Sequence, residues 1–530
     1  MNRTGRIAGL VCVLAASLGG AALAQDEPTN DQLLERLRRL EEEVERLRGE
    51  EQAPGPEAEP EPAPAGDFEF DPDFQPPEDF RFDPEAAARA KEGRGDPNEG
   101  GDWLSLRLPG STQLTVSGSV RARGEYRAPA SYRIPGTFGR PLTDDRGEGT
   151  DFALLRTRVA LTFRVVEQLQ ARVELQDSRR WGDTPAGADV AEVHLRKGYF
   201  VYSNAFGQPL TIKVGRWAVP RLGDQRLITD PEFNNVGRSW DGIQLEYRPT
   251  SCLEVLAFAA NVRESLDFST DGDENDDFWF TGLHVSWSPI LNHDIQVYFF
   301  WRHLGDRVFT AERSTRLGDR KDFTFGGRFA GEKCGWDYSV ELTMQWGDQA
   351  GDRIRAYAGA ARLGFTQPLD EDRAIGAHVE VAYASGDRDP TDGKLQTFDP
   401  LVPSRVRHHG GMNLVAYSNM QDIELGLKVV PFARLSLHVE GHAFWLDKRK
   451  DAWFDPSPAV VRRDPSGASR SFLGYEVDSY ARYSVFDRLF FVAGYGHFFP
   501  GDYVRDSAQA GAGVATQDQG WLYGQVELKF

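Results

Sequence analysis

From Gln113 to Phe530 apolar and polar residues alternate with period two, in runs bounded by Gly, Pro, Asn or Asp. That period places successive side chains on opposite faces of a strand. The runs predict about 18 strands, an even number as a single-chain bacterial barrel requires. In Gly520–Phe530, Leu522, Gly524, Val526, Leu528 and Phe530 share one face, while Tyr523, Gln525, Glu527 and Lys529 share the other. This is the apolar-out, polar-in dyad of a lipid-embedded strand.

The connections predicted between these strands alternate in length. Segments 128–152, 217–239, 263–276, 304–321, 387–420, 446–470 and 499–519 follow odd strands. Short turns such as Val166-Glu167, Ser203–Pro209, Arg248–Cys252, Gly331–Cys334 and Val485–Arg488 follow even ones, and only 348–352 breaks the alternation. Long loops on one rim and tight turns on the other predict a transmembrane antiparallel up-and-down β-barrel over 103–530, an all-β fold, with both termini periplasmic. Aromatics at strand ends, among them Tyr199, Tyr202, Trp217, Trp287, Trp301, Trp336, Trp346, Trp445, Phe498 and Phe499, read as interfacial girdles.

The polar face carries an excess of arginine. Alternation turns Arg121, Arg123 and Arg127 inward beside Glu125, Arg156, Arg158 and Arg164 inward on the next run, and Arg172 inward beside Glu174. His194 and Arg196, Lys213, Arg328, Lys428 and Arg482 follow on later strands. A guanidinium facing lipid at mid-membrane costs about 2–4 kcal/mol, so these groups argue for an aqueous interior. Two arrangements fit. The arginines pair with lumenal Glu125, Glu174, Glu192, Glu341, Glu380 and Glu440 as a salt-bridge network, or they form a constriction that attracts carboxylates and sulfates, which guanidinium binds bidentately.

The remaining chain divides into three pieces. Residues 1–24 read as a signal peptide, with Arg3 and Arg6 before the apolar stretch Ile7–Leu18 and Ala22-Leu23-Ala24 before the cleavage point. Residues 25–51 form a short coiled coil, in which Leu33, Leu37, Leu40, Val44 and Leu47 recur at four- and three-residue spacings. Self-association, or a periplasmic or cell-wall partner, is expected through 31–51. Residues 52–102 are a Pro- and Glu-rich disordered linker with scattered Phe. The formal charge of −20 is concentrated there: 26–102 holds 25 acids against 9 bases, and 103–530 holds 56 against 50. The acidity belongs to the tail.

No apolar run after residue 24 approaches the length of a spanning helix. Cys252 and Cys334 start strands four apart and are expected to stay unlinked. Neither suggests a metal site, and no cofactor is expected. His408-His409 reads as a solvated loop pair, and the acidic runs 271–277 and 387–393 read as solvated loops rather than calcium ligands. No nucleophile elbow, zinc pair or phosphate loop is present, so no enzyme is indicated, and no basic stripe suggests nucleic acid.

Several stretches in order resemble the alginate export family of outer-membrane barrels. They are Leu195-Arg196-Lys197-Gly198-Tyr199, Val214-Gly215-Arg216-Trp217, Gly223–Ile228, Asn235–Ile243, Ala384–Asp387 with Pro390–Lys394 and Phe398–Leu401, and Tyr495–Val504. The resemblance covers about 103–530. It implies an 18-stranded porin-like channel that passes an anionic polysaccharide outward along an arginine-lined pore. On matching positions it gives Arg196, Arg216, Arg226 and Arg238 a place in the electropositive path and Asp241 a structural partner role. It also implies long gating segments after strand 3 and strand 16, where Trp181–Asp189 and Val485–Arg488 are short here.

The expected function is thus an outer-membrane porin-like channel for alginate-like polysaccharide or small anionic solutes. The expected substrate path comprises Arg121, Arg123, Arg156, Arg158, Arg172, Arg196, Lys213, Arg216, Arg226, Arg238, Arg328 and Arg482. The alternative is a structural barrel tethered to the cell wall or a periplasmic partner by its coiled coil.

Overall fold

The computed structural model describes residues 104–530 apart from 109–111, 129–148, 183–190, 221, 231, 264–277, 313–316, 404–407, 457–459 and 510–515. The signal peptide, coiled coil and linker expected for 1–102 lie outside the described residues.

Among the described residues, 18 strands form one closed antiparallel barrel. They are β1 (Gln113–Ala128), β2 (Thr150–Val166), β3 (Leu169–Gly182), β4 (Ala191–Tyr202), β5 (Leu210–Ala218), β6 (Ser239–Thr250), β7 (Leu253–Arg263), β8 (Phe278–Trp287) and β9 (His293–Thr310). The second half comprises β10 (Leu317–Lys333), β11 (Trp336–Gln349), β12 (Asp352–Pro368), β13 (Ala374–Ala384), β14 (Met420–Phe432), β15 (Leu435–Leu446), β16 (Phe472–Phe486), β17 (Leu489–Pro500) and β18 (Gln519–Lys529). Each pairs with its neighbour in sequence. β18 returns to β1, from Ser119 opposite Lys529 to Ala128 opposite Gly520, so no edge is left open. Phe530 completes the seam: its N–H donates to the Gly118 carbonyl at 2.9 Å and its own carbonyl accepts from the Gly118 N–H at 2.6 Å. A Cβ at 118 would meet the Phe530 ring, so this crossing requires glycine.

Burial alternates along the strands as the period-two pattern predicts. On β14, Ile423, Leu425 and Leu427 are exposed while Asp422, Glu424 and Gly426 are buried. An apolar residue out and a polar residue in is the reverse of a soluble sheet and suits lipid outside. Trp287, Trp336, Trp346 and Phe499 face outward as expected of a girdle, whereas Trp217 and Phe498 point inward and are almost completely buried. Both fall on the inner parity of their strands. The expected loop 304–321 is largely strand: β9 and β10 continue past a register shift between Leu304 and Phe309.

The interior is divided into sectors. β1 to β4 carry arginines; β6 to β9 carry packed rings, with Trp240 4.7 Å from Phe258 and Phe280 5.7 Å from Phe300. β13 to β16 carry His378, Glu380, Asp422, Glu424, His438, His442, Glu476 and Asp478. Two long connections, 219–238 after β5 and 385–419 after β13, fold inward between these sectors. A hairpin of Ala452–Phe454 and Val460–Arg463 and the helix α1 (Asp502–Gln509) pack beside the second, with the Trp453 indole N–H donating to the Leu414 carbonyl at 2.8 Å. Cys252 and Cys334 are free.

Candidate functional site

The site begins with an electrostatic conflict in the wall. Arg121 on β1 lies directly opposite Arg156 on β2, and like charges in that position repel. Arg123, Arg158 and Arg196 stand close by on the same side, all nearly excluded from solvent. Segment 219–238 resolves the conflict. Arg121 Nη2 donates to the carbonyls of Phe233 at 3.2 Å and Asn234 at 2.8 Å, and its Nη1 donates to the Glu232 carbonyl. Arg158 Nη1 bridges both Glu232 carboxylate oxygens at 3.0 and 2.8 Å. Arg156 reaches the same carboxylate at 3.1 Å and Glu527 of β18 at 3.3 Å. Arg196 pairs with Asp230.

Shape complementarity adds to charge. The Phe233 ring lies 3.8 Å beneath the Arg123 guanidinium and meets Trp521 and Tyr523 edge-on. Asn235 is fully buried. Its Nδ2 donates to the carbonyls of Leu155 and Arg179, and its own carbonyl accepts from Gln176 and Ser178.

The first half of the same segment turns to the acidic sector. Arg226 pairs with Glu380 of β13 at 2.7 Å and with Asp224 at 3.1 Å, and it donates to His409 Nε2 at 3.1 Å. One connection therefore presents acids to the basic wall and a base to the acidic wall. Segment 385–419 joins it: the Thr229 N–H donates to the Val402 carbonyl at 3.0 Å, and the Val402 N–H donates to the Leu227 carbonyl at 2.9 Å. That segment is held in turn by Asp399, which pairs with Arg302 at 3.0 Å and Arg320 at 3.4 Å, and by Glu476 and Asp478, which accept from the N–H groups of Met412 and Gly411. Together the two segments reach β1 to β4, β9 to β11, β13, β14, β16 and β18, a septum across the lumen.

Burial pushes the Asp224 carboxyl up, but Arg226, His408 and Arg328 outweigh it and hold Asp224 below the usual carboxylate range. Asp230 moves the other way: burial raises it, aided by Glu232, against the pull of Arg196. Burial pushes the His409 imidazole down to about 4 despite the neighbouring Asp422. A neutral ring fits its contacts, since Nε2 accepts from Arg226 and Nδ1 faces Asp422 at 3.1 Å.

A family model described as alginate export matches residues 113–517. The chain belongs to that family. It is an outer-membrane barrel of the porin type. No curated protein matches it. The solved structures it is similar to include three Pseudomonas aeruginosa proteins. OccK11 (OpdR) is 14% identical with a TM-score of 0.43, over 78% of this chain and 96% of that one. OccK9 (OpdG) is 12% identical with a TM-score of 0.49, over 79% and 98%. The outer membrane protein opdK is 9% identical with a TM-score of 0.48, over 78% and 98%.

Of the path residues expected in this alginate export barrel, Arg121, Arg123, Arg156, Arg158 and Arg196 converge on one patch against 230–235. Arg172 sits apart on the same wall, bonded to Thr162 and Glu174. Lys213 faces the Tyr199 ring at 5.2 Å, Arg328 is buried opposite Glu341, and Arg482 lies over Phe490. Arg226 and Arg238 belong to the septum, Arg238 donating to the Pro403 carbonyl at 3.3 Å. Arg216 departs from the expectation. Trp217 takes the inner face of β5, which turns Arg216 outward into a bidentate pair with Asp241 at 2.7 Å. Glu192, expected in the lumen, is exposed. His409, read as a solvated loop residue, is buried between the septum and Asp422.

Sequence reading missed Asp230, Glu232, Phe233, Asn235 and Asp399. The signal was composition: 217–239 holds Leu222, Leu227, Ile228, Phe233 and Val236, apolar content that a solvated loop does not need.

Proposed function

We propose that this barrel passes anionic polysaccharide of the alginate type, or smaller anions, along the β1 to β4 arginine wall, and that segment 219–238 holds that path shut in the described conformation. One observation carries the reading: the carboxylates of Asp230 and Glu232 occupy the guanidinium groups that a uronate would need. A polyuronate offers the same carboxylate chemistry at every sugar, so it competes for those groups instead of requiring a new site. Long connections on one rim are read as extracellular and short turns as periplasmic. Export through residues 1–24, and a coiled coil at 25–51 in the periplasm that gathers copies or holds a partner, belong to the same proposal.

The test is current through the full chain in a planar bilayer with uronate oligomers added. Block by oligouronate but not by neutral oligosaccharide, weakened in Arg121→Gln with Arg156→Gln, is expected. Equal block by charged and neutral sugars would refute the anionic path.

A further inference from the structure

We propose that the lumenal wall of β13 to β15 holds a divalent first-row transition metal ion between His378, Glu424 and Glu440. These residues are remote in sequence, and register brings them together. His378 on β13 lies opposite Gly426 on β14, and Gly426 lies opposite Glu440 on β15, so the three form one cross-strand row. Glu424 is two residues before Gly426, on the same inner face. The glycine makes the row a cradle. A Cβ at 426 would overlap the His378 ring, whereas its absence lets the imidazole lie across the middle strand toward Glu440.

The donor set has metal-binding form. The ligand atoms of the three side chains all lie within 4.8 Å of one another, and His378 Nε2 stands 2.5 Å from Glu424 Oε1. Around a tetrahedral ion, ligand atoms at bonding distance sit roughly 3.4 Å apart, so small side-chain rotations complete the site. His378 and Glu424 are more than nine-tenths buried and Glu440 is partly exposed, which fixes two ligands on a hydrogen-bonded sheet and leaves the third side open to the lumen. One imidazole with two carboxylates suits zinc or manganese; calcium and magnesium prefer oxygen alone. Three protein ligands leave a position for water or a solute carboxylate. That last consequence rests on the proposed anion path, to which a dication would add a positive anchor in the acidic sector. The site itself does not rest on it.

The test is isothermal titration of zinc into the full chain, folded in detergent and stripped with chelator. One equivalent of zinc should bind, since the row offers an imidazole and two carboxylates as ligands. His378→Ala, Glu424→Gln and Glu440→Gln should each weaken binding at least about tenfold, while His293→Ala, at the start of β9, leaves it unchanged. Heat-modifiable gel migration reports that each variant is folded, and Glu440→Gln, at a partly exposed position, is the variant expected to fold most readily. Absence of zinc binding, binding unaltered in folded Glu440→Gln, displacement by equimolar calcium, or loss in His442→Ala in place of His378→Ala would each overturn the proposal.

Discussion

Arg158 Nη1 lies 2.8 and 3.0 Å from the two carboxylate oxygens of Glu232, joining the barrel wall to the segment that crosses its lumen. Both side chains are buried, so removing either leaves the charge of the other less compensated where water is excluded. Glu232 also accepts Arg156, so a single carboxylate holds two wall arginines. Replacing it with Gln in Glu232→Gln should weaken docking of the segment by about 3–5 kcal/mol, the usual cost of breaking a buried pair. Faster trypsin cleavage after Arg226 or Arg238 in the folded barrel is the expected readout.

Phe233 makes the apolar part of the same joint. Phe233→Ala removes its packing against Arg123, Trp521 and Tyr523, and a large-to-small change of this kind costs about 3–5 kcal/mol. Quenching of Trp521 fluorescence by added iodide should rise, with barrel content by circular dichroism unchanged.

Acid should loosen the septum through His409. Burial depresses this imidazole from 6.5 to about 4 when the segments are docked, against Arg226, His408, Asp422 and Tyr417. The undocked state then binds the proton first, so stability of docking is full above about pH 6.5 and is lost as pH falls toward 4, by on the order of 3 kcal/mol. Open probability in a bilayer should increase over that window and do so less in His409→Gln.

Ile228 and Val402 bridge the two inward segments in parallel, a geometry whose Cα spacing suits a disulfide. Ile228→Cys with Val402→Cys, in a background of Cys252→Ser and Cys334→Ser, should crosslink on oxidation. The oxidised channel should stay shut and reopen to reductant.

The barrel was legible because period two and loop asymmetry are written in every hairpin. Lipid forces the apolar face outward, so Ile423, Leu425 and Leu427 declare their direction without any partner. The inward turn of Arg121, Arg123, Arg156 and Arg158 was legible for the same reason. Arg216 was not: its neighbour Trp217 is also amphipathic, and which of the two faces inward depends on the aromatic packing of β6 to β9. The septum was hidden more deeply. Asp230 and Glu232 gain meaning only when a connection of irregular backbone folds across to β2 and β4, and no period marks such a fold. His378, Gly426 and Glu440 meet through strand register, which one chain read in order does not display.

The arginine wall is proposed to carry anions, with Asp230 and Glu232 closing it. The direct measurement is single-channel conductance and reversal potential across a salt gradient for the full chain beside Asp230→Asn with Glu232→Gln. The double variant should conduct more and shift its reversal potential toward anion preference. Unchanged conductance, or a shift toward cations, would contradict the account.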